Sequence, residues 1–194
     1  MIAHRHDITI APFNGIWPRI HDTAFIAPGC RIIGDVEIGP ESSIWYNCVI
    51  RADVNRIRIG ARSNIQDGTV IHCDSPKPGR PDGFPTMIGD DVLVGHMAMI
   101  HGCTLEHRAF VGLGAIVMDG CTVSSDAMLA AGALLSPGKT VPMREMWVGR
   151  PAKMVRELND AQLADMQQGV AGYVRNGQAH RAALEASLHG APQG

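Results

Sequence analysis

Aliphatic side chains recur at every sixth position through most of this chain, and that period matches neither common secondary structure. The run is Ile20, Ile26, Ile32, Ile38, Ile44 and Ile50, then Ile59, Ile65 and Ile71, then Ile88, Val94 and Ile100. With one position dropped it continues as Leu105, Val111, Val117, Val123, Leu129 and Leu135. A helix repeats at about 3.6 residues and a half-buried strand at about 2. Six residues is the step of a parallel β-helix, in which three hexapeptides close one triangular coil of about 18 residues. The aliphatic residue of each step points into the prism. Four residues after most of them stands a small one, as at Ala24, Cys30, Ser42, Cys48, Ser63, Ala98, Ala115 and Ala133, where a large side chain would crowd the corner. This requirement explains the composition: 22 Gly among 194 residues, but only 3 Trp, 2 Tyr and 4 Phe.

The three faces can be labelled in order, so that Ile20 lies on face a, Ile26 on face b and Ile32 on face c. Residues 53–58 hold three residues more than the repeat needs. Residues 74–87 form an excursion with four prolines, after which the frame resumes at Ile88. Such insertions are surface loops, a common place for function. The period is expected to stop after Val141-Pro142, with Trp147–Ala152 turning out of the coil. Asn159 then caps a helix from about Asp160, on which Leu163, Met166, Val170 and Tyr173 fall at helical spacing. The expected architecture is all-β: a β-helix over residues 1–142 and a turn with a helical tail packed on it over 143–194.

No run of about 18 apolar residues suggests a membrane span. The first residues, Met1–Asp7, lack the pattern of a signal peptide. A net charge of −2 with mixed signs gives no basis for nucleic-acid or membrane binding. Five cysteines without a CxxC pair fit a reducing, cytoplasmic setting. Cys30 and Cys48 stack as buried thiols. Gly112-Leu113-Gly114 is a hexapeptide turn rather than a phosphate loop, having no strand–GxGxxG–helix context.

Coils stack about 4.8 Å apart, so equivalent positions form columns. Arg51, His72 and His101 each follow a face-c aliphatic and share one column. Asp67 and His96 each lie two residues past a face-b aliphatic and share another, with Gln66 beside Asp67. An outward histidine on such a prism is usually only solvated, which is the reading for His4, His6, His21, His107, His180 and His189. His72 and His101, one coil apart, can instead be two ligands of one metal, and three histidines plus an open position suit catalytic zinc. His96, on another side, points elsewhere within one chain. A threefold assembly would bring face b of one copy to face c of the next. Cys73 and Cys103 flank the histidines in a different register.

At these residues the sequence resembles the γ-class carbonic anhydrases. The matching blocks are Arg51-Ala52-Asp53, Asn64-Ile65-Gln66-Asp67-Gly68, Val70-Ile71-His72, Gly95-His96, His101-Gly102-Cys103 and Val148–Lys153. The similarity runs over about residues 12–175 and is greatest to a short-loop bacterial branch that includes proteins of carnitine and phenylacetate metabolism. It implies a left-handed β-helix, a homotrimer and reversible hydration of CO2 to bicarbonate. It implies Zn2+, or Fe2+ or Co2+, on His72 and His101 of one subunit and His96 of its neighbour. Arg51 would pair across the interface with Asp67 or Asp53. Gln66 would hydrogen-bond the water on the metal, Asn64 would support that strand, and Tyr173 would reach towards the metal. The chain departs from the archetype in having no Glu in Val54-Asn55-Arg56 or Cys73-Asp74-Ser75, where a proton shuttle is expected; Asp74 is the substitute at hand. The competing readings are a CoA-thioester hydrolase or acyltransferase on the same scaffold, and a weakly active or inactive metal-binding trimer.

Overall fold

The repeat builds the prism it implies. A computed structural model describes residues 7–189. His4, His6 and the stretch after 189 lie outside the described residues, as does the side chain of His189. Every inward aliphatic from Ile32 to Leu135 is at most 4% exposed. Short parallel strands carry them in the register of the six-residue step: Ile38 beside Ile59, Ile59 beside Ile88, Ile65 beside Val94, Ile71 beside Ile100. Three residues past the inward aliphatic the backbone turns a corner with φ near +60°, at Gly29, Gly68, Gly114 and Gly138 but also at Asn47, Arg62, Asp91, Met97 and Arg108. Glycine reaches that region without cost; a side chain there is strained. The small corner residues are polar where a carbonyl needs a donor: Ser63 Oγ donates to the Gly89 carbonyl at 2.8 Å and Thr69 Oγ1 to that of Gly95 at 3.0 Å. Deleting one rung of this column is costly. Leu129→Ala, far from the histidines, is expected to lose about 2–5 kcal/mol in chemical denaturation while keeping any metal the protein binds.

The structure extends the repeat at both ends. Thr9–Ala11 lies beside Arg31–Ile33, adding a rung before Ile20. Beyond Val141, Glu145–Val148 continues face b with Trp147 beside Leu129, where a turn leaving the coil was expected. Trp147 stands six residues after Val141, so the frame persists; an indole has taken the place of an aliphatic. Lys153–Glu157 then pairs antiparallel with that strand and ends the ladder.

Two insertions interrupt the rungs. Strands Arg31–Ile38 and Val49–Ile59 pass from face c to face a without a break. Gly34 pairs with Ala52 but Val36 with Ile57, so residues 53–56 bulge out as the count of extra residues requires. The proline-rich excursion folds back on itself through paired bridges, Asp74 with Phe84 and Lys77 with Arg80.

The tail is one helix, α1 (Asp160–His189). Asn159 Oδ1 accepts the Gln162 N–H at 3.0 Å and Gln162 Oε1 accepts the Asn159 N–H at 3.2 Å, a reciprocal cap. The helix lies on face b, with Met166 and Val170 buried. Gly177 brings its backbone against Phe25 and Ser43, where an added methyl would sit 3.4 Å from each. No helix among the described residues is long and apolar enough to cross a membrane.

Candidate metal centre

Stacking of face c brings two imidazoles together. His72 pairs in register with His101, and His72 Nδ1 lies 3.1 Å from His101 Nε2. The far nitrogen of each ring meets a carboxylate: His72 Nε2 is 2.8 Å from Asp53 Oδ1, and His101 Nδ1 is 2.5 Å from Asp119 Oδ1. On the other column His96 Nδ1 is 2.7 Å from Asp67 Oδ2. All three histidines thus carry a carboxylate on one nitrogen and keep the other available. This is the usual outer-sphere support of a metal-ligating imidazole.

The tautomers that follow make a specific demand. When neutral His72 donates from Nε2 to Asp53, and neutral His101 donates from Nδ1 to Asp119, the two facing nitrogens are both bare acceptors. Two lone pairs at this distance repel unless a cation or a shared proton lies between them. A tetrahedral zinc with Zn–N bonds of about 2.0–2.1 Å would hold two nitrogens about 3.3–3.4 Å apart, close to the separation observed. The donor set therefore fits a borderline divalent metal. It is also incomplete: among the described residues of one chain, no group of three or more His, Cys, Asp or Glu side chains converges. His96 stays on its own corner with Asp67.

The remaining residues fall into three places. Arg51 makes an ion pair with Asp53 of its own chain, and Asp53 also takes the His72 hydrogen bond. Partial burial acts to raise the Asp53 carboxyl, but the bonds from His72 and Arg51 outweigh it and hold the group below the usual carboxylate range. Asn64 and Gln66 flank the inward Ile65 and so face outward, yet both are buried, because α1 covers face b. Gln66 Nε2 donates to Asn64 Oδ1 at 3.0 Å. Tyr173 is half-buried with its ring on Trp45, centroids 5.4 Å apart. Burial, together with the charge of Asp67, raises its phenol above the ordinary tyrosine value.

Three residues differ from the sequence reading. Asp74 bonds to Lys77 at 2.8 Å and to Arg80 at 3.4 Å, which holds its carboxyl below the usual range; it anchors its own loop and makes a weak proton acceptor. His180 is exposed but not solitary: its Nδ1 is 2.9 Å from the Tyr46 hydroxyl and its ring packs on Trp45 and Phe25. Asp119 is the residue that sequence reasoning misses. Its signal was the Asp-Gly pair at 119–120, one coil beyond His101-Gly102. Cys73 and Cys103 are buried away from the imidazoles, and burial pushes the Cys73 thiol up to about 11 and raises that of Cys103 as well.

A hexapeptide-repeat β-helix with paired histidines on one edge is the class this fold and geometry define, and the bacterial transferase hexapeptide (six repeats) family model matches residues 18–52. The chain is 44% identical over 173 residues to a carbonic anhydrase of Geobacillus kaustophilus, covering 89% of this chain and 91% of that one. It belongs to the γ-class carbonic anhydrase family. It is also 46% identical over 164 residues to gamma carbonic anhydrase 2, mitochondrial, of Arabidopsis thaliana, covering 84% of this chain and 58% of the plant protein. The chain spans about three fifths of the length of two such plant relatives. The crystal structure of a hexapeptide transferase family protein from Anaplasma phagocytophilum superposes with a TM-score of 0.82 at 42% identity, covering 88% of this chain and 97% of that one.

Proposed function

We propose that the chain is a carbonic anhydrase that interconverts CO2 and bicarbonate at a divalent metal, zinc foremost with iron or cobalt as alternatives, held between copies of a homotrimer. The observation that carries this reading is the His72–His101 pair, two carboxylate-braced imidazoles whose remaining nitrogens face each other 3.1 Å apart, in a chain of this family. His72 and His101 would supply two ligands and His96 of the neighbouring copy the third. When bound, such an ion supplies the Lewis acidity that brings a water's pKa from about 16 to about 7. Around it, Arg51 and Asp53 hold His72. Asn64 orients the Gln66 amide, which would position the attacking water. Tyr173 remains a protonated donor through the neutral range.

The corner that carries His96 supports assembly. Met97 beside it is 72% exposed in a left-handed conformation, and Leu113 one coil on is 52% exposed. Exposed apolar side chains grouped around a half-site are the mark of a surface that another copy covers. Five free, buried cysteines suit a cytoplasmic setting.

A second reading, acyl transfer to or from CoA, is favoured by the likeness to the Anaplasma transferase-family structure. A metal-carrying trimer of low activity is favoured by the ion-paired state of Asp74. Stopped-flow CO2 hydration beside a panel of CoA thioesters separates them. The zinc-loaded protein is expected to hydrate CO2, at a rate that rises with the concentration of an imidazole buffer. Thioester turnover without CO2 hydration would overturn the proposal.

A further inference from the structure

We infer that Asp119 is a positioning residue for His101: it fixes the ring with its Nε2 nitrogen bare and turned to His72, and so presets half of the metal-binding pair. The inference rests on the metal reading above and adds a residue to it. The 2.5 Å contact between His101 Nδ1 and Asp119 Oδ1 is the shortest of the three carboxylate–histidine contacts, the others being 2.8 and 2.7 Å. The backbone is shaped to admit it. Gly102 follows His101 at φ +53°, and a Cβ built there would lie 2.3 Å from Asp119 Oδ1 and 2.8 Å from the Phe84 Cβ. The carboxylate therefore occupies space that any other residue at 102 would fill. Gly120, next to Asp119 in sequence, makes room instead for Phe84, since a Cβ there would meet that ring at 2.9 Å. Phe84, from the proline-rich loop, thus packs against both Gly102, one coil from Asp119, and Gly120 beside it. Asp53 does for His72 what Asp119 does for His101. With both present, neither ring can flip without surrendering a charge-assisted hydrogen bond.

The test uses the full chain, zinc and a chromophoric chelator in competition. Asp119→Ala is expected to weaken zinc binding about 10–100-fold, the usual effect of losing such a partner. Asp119→Asn, whose amide oxygen still accepts from Nδ1, should recover most of that loss. Gly102→Ala should mimic Asp119→Ala by displacing the carboxylate. Long-range 1H–15N spectra of the metal-free protein should show His101 protonated at Nδ1 in the wild type and shifted towards the other tautomer in Asp119→Ala. Wild-type affinity in a folded Asp119→Ala, or an unchanged His101 tautomer, would overturn the inference. A wild type that takes up no zinc would instead defeat the metal reading, and the tautomer spectra would still decide the role of Asp119.

Discussion

Replacing His72 or His101 with alanine is expected to leave the protein folded, metal-free and no faster at CO2 hydration than the buffer. Folding should survive because the stability of each rung resides in the inward residue. Ile71 and Ile100 are fully buried, whereas the neighbouring imidazoles are outward and partly exposed. Thermal midpoints should therefore move little. Metal binding should not survive, since a single imidazole replaces a braced pair. Each deletion also leaves a carboxylate without its histidine partner, Asp53 keeping only its ion pair with Arg51 and Asp119 losing its contact with His101. The activity consequence is larger than the binding one. Acidifying water from a pKa of about 16 to about 7 is worth about nine orders of magnitude in its ionisation, and no other metal-binding group among the described residues supplies that. Metal analysis of the purified variants checks the first half and stopped flow the second. Full metal retention in both variants would sink the paired-histidine site.

The part of the centre that could be read from sequence is the part that register determines. Because the step is six residues and the insertions return the chain to frame, His72 had to fall beside His101 and Asp67 beside His96. Those pairs are a consequence of counting. What could not be counted was whatever depends on a side chain crossing between columns. Asp53 reaches His72 from a bulge and Asp119 reaches His101 past Gly102, contacts between positions that are not equivalent in the repeat. The cover that α1 places over Asn64 and Gln66 was hidden for a related reason. The helix was legible from its cap, but the surface it covers was not, since Gly177, which lies against Phe25 and Ser43, has no side chain to mark the contact. The indole of Trp147 shows the opposite error. There the frame continued, and a template restricted to aliphatic residues did not follow it.

Co-expressing His72→Ala with His96→Ala should restore metal that neither variant holds alone. The argument is geometric. His96 sits on the b-side corner with Asp67, and the paired imidazoles sit on face c. If the centre is completed between copies, the His96→Ala chain still offers an intact His72–His101 pair, and the His72→Ala chain still offers an intact His96. In a closed ring of three, the interface is heterologous, so each mixed trimer contains one contact in the productive order whatever its stoichiometry. Random mixing of equal amounts makes about three quarters of trimers mixed, with one of three sites complete in each, so the expected metal content is about one quarter of wild type. A centre confined to one chain predicts none, because both components would be broken independently. Native mass spectrometry of the same sample checks the premise, since metal should travel with mixed trimers and be absent from both pure ones. Recovery of CO2 hydration in proportion to that metal would tie the shared centre to the chemistry, because the only restored feature is one copy's imidazole pair facing its neighbour's His96.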